Sequence, residues 1–333
     1  MHTFVDLSRY LAVGAALALV ACHGQGTTPL GPSPTPQIIE YAVPTANSDL
    51  YSIAASPDGN LWFTEFAASK IGKITTQGAI TEYPTTTVGS GPNGIAPGPD
   101  GNMWFTEQGR NKIGKITPTG VITEYALGLT AHPAYIAAGP DGNMWFTEET
   151  ANKIGKISPT GAVTEYLTIS ANSNPYSIAR GPDGSMWFTE LDASKIGKIT
   201  MTGVVTEYPT VTPSAEPLGV AEGSDGNVWF TEGAGRIGKT TTTGVITEYP
   251  TGPNSFPLFI AASPDGNLWF TEPGIFTVSV TEPSKVTKMT TGGLISEYAL
   301  PDPNSGPRSI ASGPDGYLWF TEPLANRIAK IKP

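Results

Sequence analysis

The sequence is poor in the side chains that most enzymes use. Its 333 residues hold one cysteine, Cys22, and three histidines, of which only His132 lies beyond residue 23. A single thiol excludes an internal disulfide and a cysteine-rich zinc site. Nucleophile elbows, phosphate-binding loops and Cys-His pairs are missing. Charged residues make up 14% of the chain and acidic ones prevail, giving a formal net charge of −10 that speaks against nucleic acid as a partner. No stretch carries the 3.6-residue apolar period of a helix. The main apolar run, Tyr10–Ala21, is too short to span a membrane as a mature helix.

What is present is a repeat. The seven tryptophans, Trp62, Trp104, Trp145, Trp187, Trp229, Trp269 and Trp319, are each followed by Phe-Thr-Glu, at spacings of 42, 41, 42, 42, 40 and 50. Each unit reads as four short strands: a first strand such as GIAPG, a Pro-Asp-Gly turn, a second strand NMWFTE, a third KIGKI, a Thr-Gly turn and a fourth VITEY. Glycine and proline fall in these periodic turns, so the chain is not of low complexity. Four strands per unit of about 42 residues predict an all-β fold, a seven-bladed β-propeller with four-stranded blades. The last unit stops at NRIAKIKP without its fourth strand, while IIEYAVP at 38–44 matches the missing piece. The N-terminal strand, 38–43, is therefore expected to close the last blade and leave no bare sheet edge. A solenoid, the rival architecture, would need distinct capping units.

Three segments follow. Residues 1–21 read as a secretory signal ending in Leu19-Val20-Ala21-Cys22, which resembles the bacterial lipobox; Cys22 would then carry a lipid, the alternative being an ordinary signal with an incidental cysteine. Residues 22–37 form a Pro/Gly/Thr-rich tether, and 38–333 the propeller. This places the protein outside the cytoplasm in a bacterial cell envelope, as a monomer touching the membrane through its lipid anchor only.

The motif G-P-D-G-x-x-W-F-T-E, followed by N-K-I-G-K-I and G-x-I-T-E-Y, resembles the streptogramin B lyases (virginiamycin B lyases) over residues 38–333. The resemblance implies a Mg²⁺-dependent elimination that opens the ester-closed ring of a cyclic peptide antibiotic. It further implies histidines eleven residues before the Trp in the last two blades, one acting as general base. Glutamates two residues earlier and at the end of the WFTE-like strand would hold the metal. Here the eleven-before residues are Tyr51, Asn93, Ala134, Tyr176, Leu218, Leu258 and Arg308, none of them histidine. Glu322 matches a metal-holding position, but Gly306 stands where the second carboxylate belongs.

Hairpin geometry brings the start of each first strand beside the end of each second strand, so one face, the upper, gathers the variable residues and the seven WFTE glutamates. The glutamates have an ordinary structural role open to them, strand-end solvation and bonding to loop amides. Tyr51, Asn93, Tyr176 and Arg308 form the candidate ligand-contacting set, for a small molecule or an envelope protein. Metal candidates are Glu216 with Glu232, His132 with Glu148, and Glu322; carboxylates and waters suit Mg²⁺ or Ca²⁺. The chain is thus read as a binding module, with a lyase or lactonase using a raised-pKa glutamate as base as the alternative. The insertion PGIFTVSVTEPS between Glu272 and Lys285 is either a small hairpin packing on its own blade or a lid beside the channel mouth, centred on 274–281.

Overall fold

A computed structural model describes residues 37–276 and 281–333. Residues 1–36, with Cys22 and all but the last residue of the expected tether, lie outside the described residues, as does the tip of the insertion. The chain forms seven four-stranded antiparallel sheets, each in sequence order from first to fourth strand in six blades. The first strands touch their neighbours in a closed ring, the seventh against the first, so they line the axis. In the seventh blade Ile38–Ala42 supplies the fourth strand, paired with Arg327–Ile331 in the register Ile38↔Ile331 to Ala42↔Arg327. Tyr41 stacks on Trp319 at 5.6 Å, as Tyr83 does on Trp62 within one chain segment. Closure therefore reproduces an ordinary blade.

The repeated residues have repeated structural work. The Pro-Asp-Gly ends of the blades define the lower face. There the third-strand lysine lies over the indole, Lys115 at 5.0 Å from the Trp104 ring, while its ammonium pairs with the turn aspartate, Asp100 at 3.4 Å. The fourth-strand tyrosine stacks on the same indole. Glycine in the third strand makes room for the Phe of Trp-Phe: a Cβ on Gly114 would fall 2.1 Å from the Phe105 ring. The seven indoles and seven phenyl rings are fully buried. Each fully buried aromatic of this size contributes roughly 3–5 kcal/mol against truncation to alanine.

The WFTE threonines stitch blades together. Each accepts the backbone N–H of the ten-before residue in its own blade, as Thr64 does from Ser52 at 2.9 Å. Each donates to the carbonyl of the eleven-before residue in the next blade, at 2.5–2.8 Å in six cases. At the seam where the ring closes, Thr321 reaches Tyr51 O at 3.4 Å. The variable residues of the upper face thus sit on a backbone fixed by hydrogen bonds that do not depend on their side chains.

The insertion opens as a two-stranded hairpin, with Ile275–Phe276 paired to Thr281–Glu282. It joins the second and third strands of the sixth blade, as the sequence suggested. Its tip at 277–280 lies outside the described residues.

Candidate functional site

In each of the first five blades the pairing of first and second strands shifts register, for example between Pro133 and Ile136. Such a bulge breaks the alternation of side chains and lets consecutive residues turn toward the same side. At the upper end of the axis Tyr51, Tyr135 and Tyr176 from these blades meet Phe259 and Arg308, which come from the sixth and seventh blades, where the described pairing of first and second strands shows no shift. Tyr135 lies 5.1 Å from Tyr176 and 5.0 Å from Phe259, ring to ring. Both large ten-before residues face small partners: a Cβ on Gly94 would meet the Tyr135 backbone at 2.7 Å, and one on Gly219 the Phe259 backbone at 2.8 Å.

Arg308 crosses this cluster. Its guanidinium carbon is 3.5 Å from the centroid of the Tyr51 ring, and a terminal nitrogen donates to Tyr176 Oη at 3.3 Å. Tyr51 in turn stacks on Phe66 at 4.7 Å. Three of the four residues singled out as ligand-contacting, Tyr51, Tyr176 and Arg308, are thus in direct contact. Arg308 Nε and Asn93 Oδ1 are buried without a hydrogen-bond partner among the described residues, and the Tyr135 hydroxyl lies toward that of Tyr176. Burial pushes the Asp49 carboxyl above its ordinary range while nearby Arg308 pulls it back.

The fourth residue, Asn93, belongs to a neighbouring chain of bonds. Its Nδ2 donates to Gln108 Oε1 at 3.4 Å, and Gln108 Nε2 donates to Glu149 Oε2 at 2.8 Å. The same carboxylate oxygen lies 3.0 Å from His132 Nδ1. His132 therefore pairs with Glu149, not with Glu148 as the sequence suggested, because the strand's side-chain alternation turns Glu148 into its blade and the next residue toward the mouth. Burial raises the Glu149 carboxyl, against the hydrogen bond and charge of His132, the bond from Gln108 and the charge of Arg308. Gln108, Glu149 and Phe66 occupy the position just after WFTE, which reads Phe, Gln, Glu, Leu, Gly, Pro, Pro round the ring. That variability was the available signal. Beside the chain opens a depression of about 430 Å³, lined by Phe66, Gly91, Gln108, Arg110, Asn111 and His132 among others.

The WFTE glutamates are at the upper end of their strands but not on its surface. Six, Glu65, Glu107, Glu148, Glu190, Glu232 and Glu322, are fully buried, with only loose contact to a loop serine or a fourth-strand glutamate and no cation bound to them among the described residues. Burial above all raises Glu65, Glu107, Glu148 and Glu322 to about 7 and Glu190 and Glu232 to about 8. A fourth-strand glutamate adds to the shift, as Glu207 does for Glu190. Glu272 is the exception: Ser255 Oγ and Thr287 Oγ1 donate to its two oxygens at 2.6 and 2.8 Å.

These donors do not fit the implied Mg²⁺. Among the described residues no three His, Cys, Asp or Glu side chains converge as metal ligands. In the seventh blade Glu322 is buried and raised, Gly306 offers only a backbone N–H already bonded to Ser284 Oγ, and Arg308 brings a cation. In the fifth, the shift of Glu232 comes from burial and Glu248, and Glu216 stands outside on a left-handed loop residue with φ of 53°.

A model of the virginiamycin B lyase family matches residues 31–215 and 168–333. The chain belongs to this family. A streptogramin B lyase structure is 36% identical, with a TM-score of 0.83 over 90% of this chain and 98% of that one. Virginiamycin B lyase from Staphylococcus aureus, in selenomethionine form, is 35% identical over 90% and 99%, TM-score 0.83. A catalytically inactive variant of the S. aureus enzyme with quinupristin is 34% identical over 90% and 99%, TM-score 0.82. Within the family, this propeller departs from the implied lyase pattern at the eleven-before positions of its last two blades, Leu258 and Arg308.

Proposed function

We propose that this family member is a binding propeller, held in the bacterial cell envelope by a lipid on Cys22, that captures a small anionic molecule or an envelope-protein side chain at the axial mouth of its upper face. Arg308 carries the reading. It occupies one of the two positions at which the resemblance implies histidines, cannot accept a proton at ordinary pH, and lies among aromatic faces that suit a planar guest. Arg308 Nε is a buried hydrogen-bond donor without a protein acceptor among the described residues, and such a group is costly unless a guest or water satisfies it.

The alternative is a lyase or lactonase with a different base. The raised WFTE glutamates are too buried to meet a substrate; the group best placed is the half-buried His132, whose Nδ1 faces Glu149. Incubating the purified protein with quinupristin, with and without Mg²⁺, and separating cyclic from ring-opened antibiotic by chromatography tests the choice. The binding reading expects no ring opening in either condition. Metal-dependent turnover would overturn it.

A further inference from the structure

We infer that the lower rim of the propeller rests on a lipid surface, with the axial mouth turned away from it; the inference rests on the lipid anchor proposed for Cys22. In six blades a short turn joins the third strand to the fourth, at 75–79, 117–121, 158–162, 200–204, 241–245 and 290–294, and none of the six holds a charged residue. Each turn ends on an aliphatic residue. Val121, Val204, Val245 and Leu294 are 61–72% exposed, and exposed Ala79 and Ala162 complete the set. Both backbone polar groups of these residues are already bonded. Thr117 Oγ1 accepts the Val121 N–H at 3.0 Å and the Val121 carbonyl accepts the Thr117 N–H at 3.0 Å; the same two bonds recur in all six turns, at 3.0–3.1 and 2.9–3.0 Å. An apolar side chain on a backbone so satisfied enters a bilayer interface without taking unpaired polar groups with it. The turns are also seated firmly on the neighbouring blade, as Gly120 is on Tyr83, where a Cβ would fall 2.2 Å from the ring.

The seventh position of this rim is Gln37, which precedes Ile38 as Val121 precedes Ile122, so the chain from Cys22 joins the propeller on the rim itself. A short flexible tether holds such a rim beside its anchor at an effective concentration on the order of mM, so contacts too weak to hold a free protein add to the anchor. Charge separates the two ends of the blades. At the lower end each turn aspartate is paired with a third-strand lysine, at 2.5–3.8 Å, and Arg180 and Lys332 stand there against Glu222. The formal net charge of −10 is therefore carried by the rest of the molecule. The upper end also exposes aliphatic side chains, but beside acids: the Ile169 and Val211 N–H groups donate to the carboxylates of Glu207 and Glu248, each at 2.7 Å. An anionic lipid surface repels that end and accepts the lower one.

The test uses the full lipidated chain in vesicles of phosphatidylethanolamine and phosphatidylglycerol. Cys22 is the only cysteine, and with its thiol taken by the lipid, Val121→Cys and Val204→Cys each carry one polarity-sensitive dye on the lower rim, Leu129→Cys and Val211→Cys one on the upper. The lower labels are expected to shift to the blue and to lose emission to nitroxides on the lipid chains; the upper labels should keep their aqueous spectrum and lose emission to iodide. Val204→Glu with Val245→Glu should cancel the blue shift of the Val121→Cys label while the protein stays on the vesicles. A blue shift that survives both glutamates, or nitroxide quenching equal at the two ends, would overturn the orientation. So would bound protein whose lower labels stay open to iodide, and lower labels shielded only after envelope proteins are added would assign the rim to a protein partner instead. In each of these cases the anchor stands. Dye on Cys22, with the protein missing from the vesicles, would overturn the anchor and the orientation with it.

Discussion

The Pro-Asp-Gly end of each blade and its Phe-Thr-Glu end are built on the same pair of strands, yet they differ in what is repeated. At the lower end side chains repeat: aspartate, indole, lysine and tyrosine form one sandwich seven times over. Round the axis at the upper end it is the bonding of backbone to the WFTE threonines that repeats, while the residues so held vary from Tyr51 to Arg308. A ring can therefore change its ligand without disturbing its core. Acid side chains show the same division, since the lower aspartates are paired with lysine and held low, whereas the WFTE glutamates are buried and raised.

The comparison breaks most completely if the ring itself is opened. Deleting residues 38–44 removes the strand that pairs with Arg327–Ile331 and bares the edge of the seventh blade. The product is expected to aggregate or to lose its cooperative thermal transition. A monomeric deletion variant of unchanged melting temperature would show that closure does not depend on this strand.

Next in size is truncation at the two ends. Trp145→Ala at the lower end removes a fully buried indole and should cost about 3–5 kcal/mol in denaturant unfolding. Arg308→Gln at the upper end should change stability by no more than about 1 kcal/mol and instead abolish capture at the axial mouth. If the two variants lost stability equally, the upper end would be as structural as the lower.

A pH series sharpens the division. A carboxyl whose folded pKa lies above its unfolded value binds its proton more tightly in the native state, so it stabilises the fold below the folded pKa and the stability is lost as pH rises. The six buried glutamates, raised to about 7 or 8, should therefore lower the melting temperature between pH 5 and pH 9. At the acid end Glu124, Glu207 and Asp265, lowered to about 2, act in the opposite sense as they protonate. Glu190→Gln, a neutral stand-in for the protonated acid, should match wild type near pH 5 and exceed it at pH 9 by on the order of 1 kcal/mol. A wild-type melting temperature that climbs from pH 5 to pH 9 would contradict the buried acids.

The period alone carried the fold to this level: blade number, strand order and closure by 38–43 all follow from the Trp spacing and the unfinished last unit. The site was legible in part. Tyr51, Tyr176 and Arg308 stood out because their position varies on a fixed frame, but Tyr135 did not, because strict alternation points the ten-before residue away from its neighbour and the bulge near Pro133 is not written in any residue type; Phe259 was missed because it stands just before its strand, which begins at Ile260. His132 was visible, its true partner was not. Whether Glu148 or Glu149 faces it depends on where the strand ends and the loop begins, a matter of one residue that a repeated WFTE motif followed by a free position does not settle.

The smallest expected effect tests the lower end where its repeat is imperfect. Five indoles donate Nε1–H to the turn aspartate at 2.9–3.1 Å, and in those blades the residue two before that aspartate is glycine, where a Cβ would fall 2.2–2.5 Å from the indole. The first and sixth blades carry Ser56 and Ser263 there, and Trp62 and Trp269 Nε1 are buried without a partner. The serine side chain holds the indole away from its acceptor. Ser56→Gly should let Trp62 close on Asp58, a bond worth about 1 kcal/mol. It gives up the 3.3 Å bond from Asp58 N–H to Ser56 Oγ and adds the entropy of a glycine, about 0.5–1 kcal/mol. The three contributions nearly cancel, so the net change should lie within a few tenths of a kcal/mol of zero, at the edge of what unfolding curves resolve. Slower hydrogen exchange at the Trp62 indole N–H is the sharper readout, and exchange no slower than in wild type would mean that something other than Ser56 keeps the indole from Asp58.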